Sequence, residues 1–195
     1  SLEARGFGNT VHAFLELLAK QLKGGTSIER LRNEITRWSP RITAVLRGNG
    51  LPPSSLDKRA QQTRTALLNS LNDPDGLWIL TSHNQASTEY ALTSWAERRT
   101  SVRLDRVFRA GSEPRSVGQD CLWIIDYKTT THGPEGMDKF LESERAKYVS
   151  QMETYAQTIR TGAPSEDIRV GLYYPMLSKL IWWKPALTRT SLKPF

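Results

Sequence analysis

The chain has 195 residues, 38% of them hydrophobic and 24% charged, with 27 Lys and Arg against 20 Asp and Glu for a formal net charge of +7. This balance excludes wholesale disorder, and no apolar run approaches the roughly 18 residues of a membrane span. Cys121 is the only cysteine, which excludes internal disulfides and thiolate-based zinc or iron–sulfur sites, and suits a reducing compartment such as the cytoplasm. The basic excess favours polyanionic partners, because phosphate contacts release counterions. Ser1-Leu2-Glu3 lacks the basic and apolar regions of a secretion signal. With no initiator Met, a domain cut from a longer chain is expected.

In chain order, residues 1–76 read as mainly helical. Asn9-Thr10 can cap a helix whose apolar positions Val11, Phe14, Leu15, Leu18 and Leu22 recur at three- and four-residue spacing, ending at Gly24-Gly25. Ser27 opens a second helix with Ile28, Leu31 and Ile35 inward, and Pro40 a short third segment to Leu46. Beyond Pro52-Pro53, Ser54 or Ser55 caps a basic helix through Leu71, with Lys58, Arg59 and Arg64 outward. Asn72-Asp73-Pro74-Asp75-Gly76 signals a turn. The pattern then changes to β-branched and aromatic runs that predict strands over 77–81, 87–96, 101–109 and 121–129. Leu122-Trp123-Ile124-Ile125 is apolar on both faces, as a central strand requires, and Cys121 beside it reads as a buried small hydrophobe. A glycine- and proline-containing loop is expected over 130–142, a helix over 143–160, and strands over 168–174 and 180–183. Helices first, then a hairpin, a helix and more strands indicate one α/β domain over 1–195, with a sheet core over 77–185.

Chemistry concentrates at the end of the central strand. Asp126-Tyr127-Lys128 is the one Asp/Glu-x-Lys triplet in the chain. On a strand, Asp126 and Lys128 share a face and Tyr127 points opposite. Two charges at the end of a buried strand call for a partner or a function; an intrastrand ion pair is the plain alternative. Asp105 lies four residues before Arg109, and Asp126 five after Cys121, on either side of a loop over 110–120. If the strands pair in that register, the two carboxylates face each other, with Cβ atoms roughly 4.5–5.5 Å apart. Like charges so placed repel unless a divalent cation lies between them, and Mg²⁺ takes such oxygen ligands; pairing of Asp105 with Arg103 or Arg106 is the alternative. On the following helix Tyr148, Gln151 and Tyr155 share a face, where an amide and a phenol can orient a ligand or serve as ordinary surface groups. His12 beside the first apolar stripe is either a boundary residue or an additional metal ligand. His83 and His132, in turn or loop contexts, carry no such signal.

Taken together, Gly8-Asn9-Thr10-Val11-His12, then Val102-Arg103-Leu104-Asp105-Arg106-Val107-Phe108, Trp123-Ile124-Ile125-Asp126-Tyr127-Lys128-Thr129 and Tyr148-x-x-Gln151-Met152-x-x-Tyr155-Ala156 resemble the PD-(D/E)XK nuclease domain of RecB and AddA helicase–nucleases. The resemblance runs from residue 8 to about 185. It implies a restriction-endonuclease-like mixed sheet flanked by helices, with an N-terminal helical subregion. It also implies His12, Asp105, Asp126 and the Tyr127 carbonyl as metal ligands, Lys128 as the catalytic lysine, and Gln151 and Tyr155 as an auxiliary pair. Mg²⁺ is the implied cofactor, with Mn²⁺ able to substitute. Arg103 stands where relatives commonly carry a glycine, and the four cluster cysteines of AddB-type relatives are absent, which implies a branch without an iron–sulfur cluster.

The expectation is therefore a Mg²⁺-dependent deoxyribonuclease, an exonuclease acting on DNA ends in double-strand-break repair and recombination. The resemblance supplies a helicase motor in the same polypeptide and a second helicase–nuclease subunit as partners, and no membrane. The chain itself has no Gly-x-x-x-x-Gly-Lys-Ser/Thr phosphate loop. A catalytically silent DNA-binding or interface domain, or a stand-alone restriction- or phage-type nuclease, are the competing readings. Arg98, Arg99, Arg103, Arg106 and Arg109 are candidate phosphate contacts or a solvated basic face. Glu89 is a candidate extra acid, and Trp182-Trp183 either stack on bases or fill the core.

Overall fold

The computed structural model describes residues 1–81, 83, 87–93 and 101–186, with the backbone alone for 87–93 and 101–103. Five strands form one sheet in the order β1 (Ser87–Thr93), β2 (Ser101–Ala110), β3 (Cys121–Tyr127), β4 (Asp167–Tyr174), β5 (Lys179–Trp183). β1, β2 and β3 pair antiparallel, β3 and β4 pair parallel, and β4 and β5 return to antiparallel. The parallel step needs a crossover, supplied by α6 (Met137–Gly162). The result is a mixed sheet flanked by helices, a restriction-endonuclease-like α/β fold. Among the described residues no helix is long and apolar enough to cross a membrane.

Alternation along β3 divides the core in two. Trp123, Ile125 and Tyr127 face a layer of helices built from α1 (Leu2–Lys23), α2 (Ile28–Ile35), α3 (Ser39–Gly48), α4 (Leu56–Asn72) and α5 (Pro74–Leu80). Ile124 faces the other way, where Met152, Tyr155 and Ala156 of α6 cover Val170, Leu172 and Tyr174 of β4. A strand covered on both sides reads as a continuous apolar run, as 122–125 does. Cys121 is buried. Trp183 is buried, and Trp182 packs partly buried against Trp123, their ring centroids 5.3 Å apart, so both contribute to the core.

Three boundaries differ from the sequence expectation. The first helix starts at Leu2, capped by the Ser1 side chain, not at Asn9-Thr10. Gly6 and Gly8 hid the start, because glycine weakens a helix reading although buried packing tolerates it here. Residues 77–80 are the end of α5, not a strand, so the helical part runs to Leu80. Asp73 caps α5 by accepting from the Gly76 N–H at 3.0 Å, and Pro74 follows at the first helical position. The same Asp-Pro-Asp-Gly letters that signal a turn thus signal a helix start. Helix α6 begins at Met137, not at 143, because Gly136 turns the chain in the left-handed region (φ 67°) just before it.

Arg106 and Arg109 make structural contacts, where the sequence offered phosphate contacts or a solvated basic face. Arg106 is buried and donates to the Ile79 carbonyl at 2.6 Å and to that of Thr81 at 3.0 Å, closing the C-terminal end of α5. Arg109 pairs with Glu166. Arg98 and Arg99, and the side chains of Glu89 and Arg103, lie outside the described residues.

Asp73 also accepts from the buried Tyr173 hydroxyl at 2.9 Å, so one carboxylate ties α5 to β4. Asp73→Ala removes a cap and takes the carboxylate partner from that hydroxyl. It is expected to lower unfolding free energy by about 2–3 kcal/mol, measured by urea titration with an unchanged slope; a loss below about 0.5 kcal/mol would refute this tie.

Candidate active site

The strand pairing brings the acids together. β2 and β3 run in the register Arg106↔Ile125 through Ala110↔Cys121. One step further along the same register sets Asp105 level with Asp126, the pairing assumed from the sequence; Ala110 belongs to β2 and pairs with Cys121, so each acid lies five residues from that pair. The two carboxyls share a hydrogen bond. Both side chains are largely shielded, 18% and 17% exposed, so neither charge can rely on water for its stabilisation.

Each acid is held from its own side. The Tyr127 N–H donates to Asp105 Oδ2 at 2.8 Å, which ties the acid of β2 to the backbone of β3. Asp126 points to the α6 side of the sheet, where Lys128 Nζ lies 2.7 Å from its Oδ2. The Lys128 N–H donates to the Tyr173 carbonyl at 2.8 Å, continuing the pairing with β4 one residue past the strand. The same ammonium lies 3.7 Å from the ring centroid of Tyr148 on α6. The Tyr127 ring turns the other way, into the helical layer, with its centroid 5.8 Å from that of His12.

His12 on α1 completes the cluster. Its Nδ1 lies 3.1 Å from Asp105 Oδ1 and its Nε2 lies 3.0 Å from the Tyr127 carbonyl oxygen. Carboxylate and carbonyl are both acceptors, so both ring nitrogens donate and the ring is an imidazolium. His12 therefore lends its positive charge to the oxygens that the sequence marks for a cation. Among the described residues no group of three His, Cys, Asp or Glu side chains is already arranged to hold a metal ion. The oxygen set still suits a hard divalent cation, with two carboxylates and a backbone carbonyl around one strand end. His12 can join it only after its ring gives up a proton and leaves a hydrogen-bond partner.

Gln151 and Tyr155 on α6 bond to each other through amide and phenol. Gln151 is exposed and Tyr155 is buried among the residues facing β4. Burial raises the Tyr155 phenol above its ordinary value, and Asp126 and Asp105 add to the rise, so the phenol lies within electrostatic reach of both acids. The contact of Tyr148 with Lys128 is not evident in the sequence, although its shared face with Gln151 places it near. Buried Glu144, one turn earlier, accepts from the Tyr174 hydroxyl at 3.3 Å. It was missed because its partner lies 30 residues on, and an acid at an interior helix position reads as solvent-facing.

The family model for the PD-(D/E)XK nuclease superfamily matches residues 1–188. No curated protein matches the chain.

The electrostatics bear on what the site can bind. Burial pushes Asp126 up, and the hydrogen bond and charge of Asp105 push it further, to about 7 against the pull of Lys128. Burial works the same way on Asp105, but hydrogen bonds with His12 and Asp126 and the His12 charge outweigh it and hold that carboxyl at about 2. For His12 burial lowers the value, and the hydrogen bond and charge of Asp105 more than offset it, leaving the ring above 6.5. Asp126 thus binds its proton more tightly folded than unfolded, a contribution to stability present at low pH and lost as pH rises toward about 7. Asp105 has the opposite sign, and its contribution is lost only as pH falls from about 4 toward about 2. A divalent cation must displace the Asp126 proton, so Mn²⁺ affinity is expected to weaken about tenfold for each pH unit below about 7. Calorimetry in buffers of different ionisation enthalpy would register the released proton; affinity flat from pH 5 to 8 would contradict the assignment.

Proposed function

The chain belongs to the PD-(D/E)XK nuclease superfamily, matched over residues 1–188, and from that premise we propose that it is a Mg²⁺-dependent deoxyribonuclease that hydrolyses phosphodiesters at DNA ends. The observation that carries the reading is the convergence of Asp105 and Asp126 across the β2–β3 pair with Lys128 on the second acid. A silent binding domain has no need to place two carboxylates against each other out of water, an arrangement that costs stability unless a ligand repays it. The formal net charge of +7 is of the sign that phosphate binding needs.

In this mechanism Asp105, Asp126 and the Tyr127 carbonyl would hold a divalent metal, with His12 a further ligand once its ring is neutral. A bound divalent cation supplies Lewis-acid charge to the phosphate and lowers the pKa of water. Lys128, on the same strand face as Asp126, donates to the attacking water or to a non-bridging phosphate oxygen and stabilises charge developing there. Its backbone bond to Tyr173 and its contacts with Asp126 and Tyr148 hold it at the strand end. Gln151, exposed beside the site and bonded to Tyr155, orients the phosphate from the α6 side.

Within the superfamily the motif order from Gly8 to Tyr155 supports the RecB/AddA type. In that setting the domain is the exonuclease module of a helicase–nuclease, handling the strand that a motor delivers during double-strand-break repair and recombination. Mn²⁺ is expected to replace Mg²⁺.

Loss of a single group of this electrostatic kind costs on the order of 10²–10³ in rate. Lys128→Ala is expected to cut Mg²⁺-dependent degradation of linear single-stranded DNA by that factor while leaving DNA affinity within about twofold, and EDTA is expected to abolish cleavage in the parent protein. A Lys128→Ala protein that cleaves at the parent rate would overturn the role given to this residue.

A further inference from the structure

We propose that Tyr148 is a positioning residue that holds the Lys128 ammonium in place with its ring face, an inference that rests on the nuclease reading of Lys128. Lys128 is well fixed at its backbone, through the 2.8 Å bond to Tyr173, but its ammonium ends a flexible four-carbon stem. Among the described residues Asp126 is the one carboxylate paired with it, at 2.7 Å. In the proposed mechanism a divalent cation draws on the same carboxylate. The metal and the ammonium then compete for Asp126, and the ion pair weakens when the lysine is needed. The ring of Tyr148 is a partner that the metal does not take. Its centroid lies 3.7 Å from Nζ, well inside the roughly 6 Å reach of a cation–π contact. Tyr148 is partly buried and packs into the apolar layer between α6 and β4, which anchors the ring independently of Lys128. Exposed Lys147 brings a second ammonium to 5.0 Å from the same ring centroid.

The contact with Lys128 uses the π face, so the hydroxyl is dispensable and the electron density of the ring is not. The test measures kcat and KM on linear single-stranded DNA with Mn²⁺ for the whole chain carrying Tyr148→Phe, Tyr148→Leu, or mono-, di- and trifluorophenylalanine at this position. Fluorination drains the ring face while nearly keeping its shape, so it separates the cation contact from packing. Tyr148→Phe is expected to stay within about twofold of the parent. Along the fluorinated series kcat is expected to fall stepwise to about tenfold below Tyr148→Phe, equivalent to about 1.4 kcal/mol of barrier. KM and the unfolding midpoint should stay unchanged. Tyr148→Leu is expected to lose at least as much, and if it fails to fold the fluorinated series still decides. A flat kcat across that series, with Lys128→Ala inactive, would overturn this inference alone. Full activity in Lys128→Ala would overturn the nuclease role of Lys128 and this inference with it.

Discussion

Two carboxylates held against each other in a shielded strand end are the constraint on which the site depends. The β2–β3 register brings Asp105 and Asp126 level, and the sheet covers them too well for water to separate their charges. Such a pair is stable only if protons, cations or hydrogen-bond donors divide the charge. Here Asp105 takes the His12 ring and the Tyr127 N–H, Lys128 closes the far side on Asp126, and burial beside Asp105 raises the proton affinity of Asp126. The two acids are thus flanked by a basic side chain on each side, His12 on Asp105 and Lys128 on Asp126.

The remainder of the fold brings these groups to one point from separate elements. Apolar alternation on β3 sends Tyr127 into the helical layer and Asp126 toward α6. That layer brings α1, and with it His12, against the Tyr127 carbonyl. The parallel crossover lays α6 over β4, so that Tyr148 reaches Lys128 and Gln151 and Tyr155 stand nearby. Arg106 and Asp73 secure α5 at the sheet, which keeps the helical layer in place without touching the chemistry.

The site was readable from the sequence where the signal was local. Period-two alternation put Asp126 and Lys128 on one face, whereas the β2–β3 register had to be assumed and is supplied by the pairing of Ala110 with Cys121. The apolar run 122–125 marked the central strand for the same reason, since only a strand covered on both faces needs it. Contacts between distant segments were not readable. Nothing near Arg106 in sequence announces the carbonyls of Ile79 and Thr81, and nothing near Arg109 announces Glu166, so the structural role of both was not among the readings the sequence offered. The run Leu77–Leu80 shows a different limit, because a short apolar stretch fits a strand or a buried helix equally well. The Asp73 cap decides it, and its partners are visible only in the fold. In sequence His12 reads as a boundary residue or an additional metal ligand; that its ring spans Asp105 and the Tyr127 carbonyl is a structural result.

The central claim is that a divalent ion takes over the oxygens now served by His12 and Lys128. Anomalous diffraction from crystals grown with Mn²⁺ tests it most directly. The account predicts a single strong peak in contact with Asp105, Asp126 and the Tyr127 carbonyl, with the His12 ring turned away from Asp105. A peak elsewhere, with the His12–Asp105 and Lys128–Asp126 pairs intact, would contradict it.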